Sequence, residues 1–503
     1  MPAHRFRFTP NQSRVLYDAG TTLAASAAAF AFTLIFMGAQ APLLFAGPVL
    51  VVLFNRLLGL YTTLKVGAGT RKAVRITASL LAAAVLLSFA APAPTVLLWI
   101  AMAWAPLVLP RLLLNLNTRV KTNFVTSAIV QRGPVLVVGG AGYIGTHLVQ
   151  ELIQRGRPVR VFDRLLYGRA PIESFLREPG FELVEGDVTD LVKLLEAMRG
   201  VSAVVHLAGL VGDPACAVDP AFTRHTNVIA TRMVKEAALS FGVPRFIFAS
   251  SCSVYGTSDK EVSETDDLNP VSLYAKTKID SERELLLCPD DNFAVTVLRF
   301  ATVFGHSRRP RFDLVANLFT AQAMVDGKIT VTGESQWRPF VHVRDLARAI
   351  AVTLEADPEA MRGKIFNVGD RRLNMTIGQL AETVKGIVAR DRAVEIVRQP
   401  DVMDRRNYAV SFDRIRSELG FECATSIEAG IEEIVREFQK GTYGDWRAPS
   451  YSNVAVTRAA VQEFLDPQQS ARLYVPLSDA RELAGRLEES TSTPSLPRSA
   501  AGR

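Results

Sequence analysis

The sequence predicts an α/β protein: a doubly wound parallel sheet with a smaller C-terminal lobe, preceded by an all-α module of four membrane helices. Three observations carry that expectation. Two long uncharged stretches fill most of the first 132 residues, strand-length apolar runs alternate with helical stretches from Pro134 to about residue 304, and the alternation is lost after Gly305. With 503 residues, 49% hydrophobic and 21% charged, the chain is long enough for several domains and too apolar for general disorder. The expected boundaries are a membrane module over 1–132, an α/β domain over 133–440 and a partly disordered tail over 441–503. Within the α/β domain the sheet core covers about 133–304 and the lobe mainly about 305–440.

The N-terminal module comes first. No charged residue occurs from Ala19 to Asn55 or from Ile76 to Pro110. Each run exceeds the ~20 residues of one helical crossing and suits two short ones. Breakers lie mid-run, at Gly38 to Pro42 and at Pro92 with Pro94, which places four helices at about 19–37, 41–55, 76–91 and 95–110. Arg5, Arg7 and Arg14 precede the first helix, Arg56, Lys65, Arg71, Lys72 and Arg75 separate the two pairs, and Arg111, Arg119 and Lys121 follow the last. Basic residues collect in loops that stay cytoplasmic. The expectation is a multi-pass protein of the cytoplasmic (inner) membrane with everything after Arg132 facing the cytoplasm. Several apolar segments and the lack of a small-residue cleavage site argue against a signal peptide. Re-entrant hairpins are a second reading, since Pro42, Pro48, Pro106 and Pro110 interrupt helices.

Charge and cysteines narrow the function classes. The net charge of +7 divides into +11 up to Arg132 and −4 beyond it, so the α/β part is mildly acidic. It has no basic stripe interleaved with aromatics, which excludes nucleic acid as a partner. Cys216, Cys252, Cys288 and Cys423 form no CxxC pair or Cys/His cluster, so neither a disulfide framework nor a metal site is expected.

The α/β domain opens with "VLVVGGAGYIG": four apolar residues of a buried strand, then Gly139, Gly142 and Gly145 at G-x-x-G-x-x-G spacing, with Tyr143 and Ile144 between the last two. The glycines serve a tight turn, close approach of backbone to a pyrophosphate, and close packing of helix on strand, and the following helix directs its N-terminal amides at the phosphates. This is a Rossmann-like dinucleotide site. A second strand, "PVRVFD", ends in Asp163, eighteen residues after Gly145, where a carboxylate accepts from the adenosine ribose hydroxyls. That acid favours NAD over NADP, while the adjacent Arg164 keeps NADP open. "FELVEGDVTD" adds Asp187 and Val188 after a third strand, either at the adenine or as a turn aspartate, and "AVVHLAGLVG" ends a fourth near Leu207, Ala208 and Gly209.

Chemistry enters with "FIFASSCSVYG" and "NPVSLYAKTKIDSE". The second places Tyr274 and Lys278 four residues apart, on one face of a helix. A phenol of pKa about 10 becomes a base when a neighbouring ammonium favours the phenolate. With the glycine loop, in this order, these stretches closely resemble the extended short-chain dehydrogenase/reductase superfamily, in its NAD-dependent nucleotide-sugar epimerase/dehydratase branch, over roughly Pro134 to Lys440. The resemblance implies Tyr274 as catalytic base, Lys278 as its partner on the nicotinamide ribose, and Ser251 as the hydroxyl that holds the reacting oxygen. It implies Asn227 at the start of the helix beside the site, binding cofactor and substrate, and Arg338 with Arg405 or Arg406 on the substrate diphosphate, where guanidinium groups bind bidentately. It also implies a homodimer formed through a helix pair.

The expected reaction follows from what is missing. The 4,6-dehydratases of this family carry an Asp-Glu pair after the hydroxyl residue, where this chain has Cys252 and Ser253. Dehydration and UDP-glucuronate decarboxylation are disfavoured, and 4-epimerisation through a transient 4-keto sugar is the simplest completion. Cys252 is either an acid or base of a keto-sugar reductase or, more simply, a thiol packed behind the strand. "HLAG", "VGDPACAVDP", Thr302 and Pro339 depart from the family pattern around the sugar, so the sugar is not named by the sequence. The apolar module resembles the four-helix membrane domain of bacterial polysaccharide-biosynthesis dehydratases, with "LFNRLLGLY" carrying the likeness, which implies surface-glycan assembly. Three readings follow: an epimerase of a nucleotide sugar, the same chemistry on a polyprenyl-diphosphate sugar, and a non-catalytic NAD-binding scaffold. In the tail, "LSDARELAGRLEES" has helical character and "TSTPSLPRSAAGR" reads as disordered.

Overall fold

The computed structural model describes residues 133–465 except 289, 291 and 401–405, together with residues 77, 78, 80 and 81. The expected membrane spans lie outside the described residues apart from those four, which are helical, and so does "LSDARELAGRLEES". Among the described residues no helix is long and apolar enough to cross a membrane.

The described strands are β1 (Val135–Val138), β2 (Val159–Asp163), β3 (Phe181–Glu185), β4 (Ala203–His206), β5 (Arg245–Ser251), β6 (Ala294–Phe300), β7 (Thr302–Phe304), β8 (Lys328–Val331), β9 (Trp337–His342), β10 (Lys364–Val368), β11 (Asn374–Thr376) and β12 (Glu395–Arg398). The longer helices are α1 (Gly145–Gln154), α2 (Leu191–Met198), α3 (Ala230–Ser240), α4 (Leu273–Leu286), α5 (Val315–Asp326), α6 (Val343–Glu355), α7 (Ile377–Val388), α8 (Ile427–Gln439) and α9 (Asn453–Leu465).

Seven strands form one sheet in the order β10-β6-β5-β4-β1-β2-β3, each neighbouring pair parallel. An all-parallel sheet is covered by helices on both faces, so its central strands are continuously apolar. In β1 the consequence is direct: Val135 and Val137 enter one core with Leu148 and Val161, while Leu136 and Val138 enter the other with Leu195 and Val204. The strand order reverses between β1 and β4, which opens a crevice at their C-terminal ends.

The seventh strand corrects the expected division. β10 comes from the stretch assigned to the lobe, yet it pairs with β6 in parallel from Lys364 opposite Thr296 to Val368 opposite Phe300. Its Phe366 and Val368 are fully buried beside Leu298 and Phe300, so burial beside β6 outweighs proximity in sequence to the lobe. The lobe proper contains the mixed sheet β11-β9-β7 and the pair β12-β8, packed with α5, α7 and α8 around Phe304, Phe340, Leu380 and Ile431. The stretch placed in the tail begins with ordered structure: α9 sends Ala460 and Val461 into a cluster with Leu210, Cys216 and Phe222.

A buried ion pair fixes α4 against the sheet. Arg299 on β6 donates from Nε and Nη2 to the two oxygens of Glu282 on α4, at 3.0 and 2.7 Å, and both side chains are 3% exposed. Ser250 donates to Glu282 at 2.5 Å, Arg299 Nη1 donates to the Tyr255 hydroxyl at 3.0 Å, and that hydroxyl donates to Asn367 of β10 at 2.7 Å. Removing one partner of such a pair strands a charge in the core. Glu282→Ala is therefore expected to lower stability by about 3–5 kcal/mol in denaturant titration, whereas Glu282→Leu combined with Arg299→Met costs much less. Equal losses in the two variants would show that the pair is not the relevant contact.

Candidate active site

The glycine loop leaves β1 in a conformation that side chains rarely adopt. Gly139 has φ +86°, and a Cβ there would lie 2.7 Å from the Ala208 nitrogen. A Cβ on Gly145 would lie 2.5 Å from the Gly139 oxygen, which explains why the helix can start so close to the strand. At Gly142 the nearest atom would be the Gly139 oxygen at 3.2 Å. No side chain caps α1 at Ile144; its Thr146 and His147 amides donate to the Gly142 and Ile144 oxygens at 3.1 Å, and the positive end of the helix dipole faces the glycine turn, where it favours an anion. The cradle fits a dinucleotide pyrophosphate.

Around it, Asp163 ends β2 with its carboxylate accepting from the Leu165 and Ala141 amides at 2.8 and 2.9 Å. Burial pushes this carboxyl above the ordinary carboxylate range, with the two amides pulling the other way. Leu207 and Ala208 both donate their backbone amides to the Val138 oxygen at 2.9 Å, which holds the β4 loop over the glycines. Val188 packs half-buried against the second core. Three more of the expected cofactor residues make contacts within the fold. Asp187 accepts from the Thr189 amide and hydroxyl through one oxygen and from Arg164 through the other, which is the turn role. The Tyr143 side chain turns away from the crevice: its hydroxyl donates to the Gly305 oxygen at 2.6 Å and ties the loop to the lobe. Asn227 sits in a π-helical turn (His225–Ile229), where its oxygen accepts from the Leu210 amide and its amide group donates to the Leu210 oxygen and the Thr277 hydroxyl. It positions the β4 loop against α4.

Ser251, Tyr274 and Lys278 come together. β5 ends at Ser251, and Ser272 caps α4 by accepting from the Ala275 amide, so that Tyr274 lies in its first turn. Tyr274 lies near enough to Ser251 for the serine side chain to favour its ionised form. Lys278 donates to the Ala249 oxygen at 2.8 Å, with Nζ 4.9 Å from the Phe248 ring centre and 5.8 Å from that of Tyr274. Electrostatics differ from the expectation that the ammonium makes the phenol acidic. Burial pushes Tyr274 up, a Cys216 thiolate would raise it further, and Ser251 and Arg311 oppose. Burial likewise lowers Lys278 to about 8.

The diphosphate arginines also differ. Arg338 is 5% exposed and donates to the Trp337 and Arg406 carbonyls and to Gln336, so it shapes the Arg406 segment. Arg406 reaches Asp213 at 3.3 Å, and Arg405 lies outside the described residues. Two groups near Tyr274 were not singled out by sequence motifs. Cys216 is a buried thiol pushed up to about 12, chiefly by burial, and Arg311 is held bidentately by Asp313 at 3.0 and 2.5 Å. Cys252 is likewise buried, its Sγ facing the Arg299 oxygen at 3.3 Å, and burial pushes it up.

A doubly wound sheet with a pyrophosphate cradle and a Ser/Tyr/Lys set at its C-terminal edge defines a dinucleotide-dependent enzyme of hydroxyl and ketone chemistry. Residues 135–369 match the model of the NAD dependent epimerase/dehydratase family. The chain is 29% identical to a UDP-glucose 4-epimerase of Lactobacillus helveticus over 50% of its length and 82% of that protein. It is 30% identical to UDP-glucuronic acid decarboxylase 1 of Arabidopsis thaliana, over 61% and 69%. The dTDP-glucose 4,6-dehydratase of Streptomyces venezuelae, solved with NAD bound, superposes with a TM-score of 0.56 at 27% identity, covering 63% of this chain and 99% of that one. The protein belongs to the NAD dependent epimerase/dehydratase family, and its cofactor is NAD.

The Lys278 position yields a stability prediction with a definite sign. The unfolded chain holds this proton more tightly than the fold does, so charging Lys278 opposes folding fully below pH 8 and not at all above about pH 10.5. In NAD-free protein, Lys278→Met is expected to raise stability at pH 7 by up to about 3 kcal/mol, with the gain shrinking as pH rises through that window. A melting temperature that falls at pH 7, or a gain independent of pH, contradicts it.

Proposed function

We propose that the protein is a membrane-anchored, NAD-dependent 4-epimerase of a nucleotide sugar that acts in surface polysaccharide or glycan biosynthesis. The observation that carries this reading is a complete Ser/Tyr/Lys set with no carboxylate at the two positions after Ser251. Cys252 points into the core with a raised pKa, which removes it as an acid or base. Ser253 has a buried hydroxyl without a partner among the described residues, neutral and suited to a sugar hydroxyl.

NAD supplies the hydride acceptor and, in the reverse sense, the donor. Tyr274 serves as base in its phenolate form, which the ammonium of Lys278, with Nζ 5.8 Å from the phenol ring centre, favours against burial. Its oxygen takes the C4 hydroxyl proton while the C4 hydrogen departs as hydride, and Ser251 holds the same substrate oxygen. The ketone then turns over in the cleft between sheet and lobe, and Tyr274 returns the proton to the oxygen as hydride adds to the opposite face. The uncharged runs at 19–55 and 76–110 and the basic segments around them support anchoring with the enzyme on the cytoplasmic side. The same runs favour a second reading, in which the sugar is carried on a polyprenyl diphosphate.

Full-length protein and a chain starting near Arg132 are to be given one panel of nucleotide sugars and polyprenyl-diphosphate sugars. The expected product is the C4 epimer with no net NADH, and Tyr274→Phe is expected to lower kcat by at least about 100-fold. Activity of the shorter chain on a nucleotide sugar excludes the lipid-linked reading, and activity confined to lipid substrate establishes it. A 4-keto-6-deoxy product or released CO2 refutes epimerisation. Unchanged biological activity of Tyr274→Phe makes the protein a scaffold.

A further inference from the structure

The helix α9 lies beyond the family match, which ends at Gly369, and yet it packs over the cofactor crevice. Its first residue, Asn453, is 3% exposed. The side-chain oxygen of Asn453 accepts from Tyr167 at 3.2 Å and from Arg309 at 2.5 Å, while its amide donates to the Val211 oxygen at 3.3 Å and to Asp313 at 3.4 Å. Two lone pairs and two N–H groups are the full capacity of a carboxamide. Its partners sit on three loops: Tyr167 follows β2, Val211 follows β4, and Arg309 and Asp313 follow β7. The first two of those strands flank β1, so both their loops leave the sheet where a dinucleotide lies.

The rest of the helix continues along the same edge. Glu463 pairs with Arg164, the neighbour of Asp163, at the ribose end of the crevice. Ala460 and Val461 pack with Leu210 and Cys216, in a cluster that also includes part of the Tyr274 ring. The Phe464 ring lies 5.1 Å from Phe222 and 5.0 Å from His225. One helix thus spans from the ribose carboxylate to the catalytic tyrosine.

Beneath it is an unbalanced charge. Arg309 is 4% exposed and stacks on Tyr167 at 3.6 Å, and its Nε has no partner among the described residues. Arg311 takes Asp313 bidentately, so the two buried arginines share one carboxylate in this cluster. A buried cation without an anion is unfavourable, and an anionic ligand in the crevice offsets it.

We propose that α9 is the outer wall of the NAD site, latched by Asn453, and that it keeps the cofactor bound between turnovers. NAD leaves only when the three loops and α9 separate. The proposal rests on the NAD site and is independent of the sugar chemistry, so epimerase assays and the following test can fail separately.

Full-length wild type, Asn453→Ala and Phe464→Ala are loaded with labelled NAD, stripped of free nucleotide by gel filtration, and chased with unlabelled NAD. The second variant acts at the other end of the helix, so retention can be read even where one variant fails to fold, and circular dichroism identifies the folded ones. Each folded variant is expected to release NAD at least about tenfold faster than wild type, the equivalent of one or two hydrogen bonds or a truncated aromatic contact. In turnover assays the loss is expected as a new dependence on added NAD. Release at the wild-type rate in the folded variants overturns the proposal. Tighter NAD binding on loosening α9 also overturns it, because that result makes the helix a plug that competes with the cofactor.

Discussion

The site depends on how α4 is held against the end of β5, and the buried Arg299–Glu282 pair holds it. Both charges lie in the core, where their value is specificity more than stability. Two parallel N–H···O contacts define one register between β6 and α4, and Ser250 adds the tie to β5. Alternation along a strand then decides the rest. Ser250 faces inward to Glu282, so the next residue, Ser251, faces the crevice and meets Tyr274. One turn along α4 from Tyr274, Lys278 reaches the Ala249 oxygen.

That arrangement brings reactive groups together without activating them. Burial drives Tyr274 and Lys278 in opposite senses, each toward its neutral form. The cost is borne in the NAD-free protein, where at neutral pH a buried ammonium with a lowered pKa and an unionised phenol stand near one another. Catalytic sites commonly trade stability for function in this way. Cys216 and Cys252 obey the same desolvation and become inert apolar groups, which leaves the hydroxyls as the reactive chemistry.

The lobe and the sheet are joined by polar contacts at the crevice. Tyr143 bonds the Gly305 oxygen, Ser307 bonds the Tyr143 oxygen, and Asn317 bonds both the Gly305 amide and the Tyr143 hydroxyl. The glycine loop is therefore held from both sides: by β4 through Ala208, and by the lobe through Tyr143. Arg406 with Asp213 and Asn453 with Tyr167 and Arg309 close the outer side. Of the stretches that depart from the family pattern, "VGDPACAVDP" contributes Asp213 to these contacts.

Local pattern was sufficient for β1, the glycine loop, Asp163 and the Tyr274/Lys278 face of α4, because each follows from strand alternation, helical spacing or the sterics of a turn within a few residues. Composition alone also separated a basic apolar N-terminal part from an acidic α/β part. Tertiary structure decided what depends on distant partners. β10 joined the main sheet because Phe366 and Val368 complete the core beside β6, a contact across some seventy residues. Arg338 turned to backbone carbonyls and Asp187 to Thr189 and Arg164, since a charged side chain reveals its residue type but not its neighbour. The role of Asn453 was invisible for the same reason: its four partners lie 140 to 286 residues away. A hydrogen bond requires proximity in space, and only the folded chain provides it.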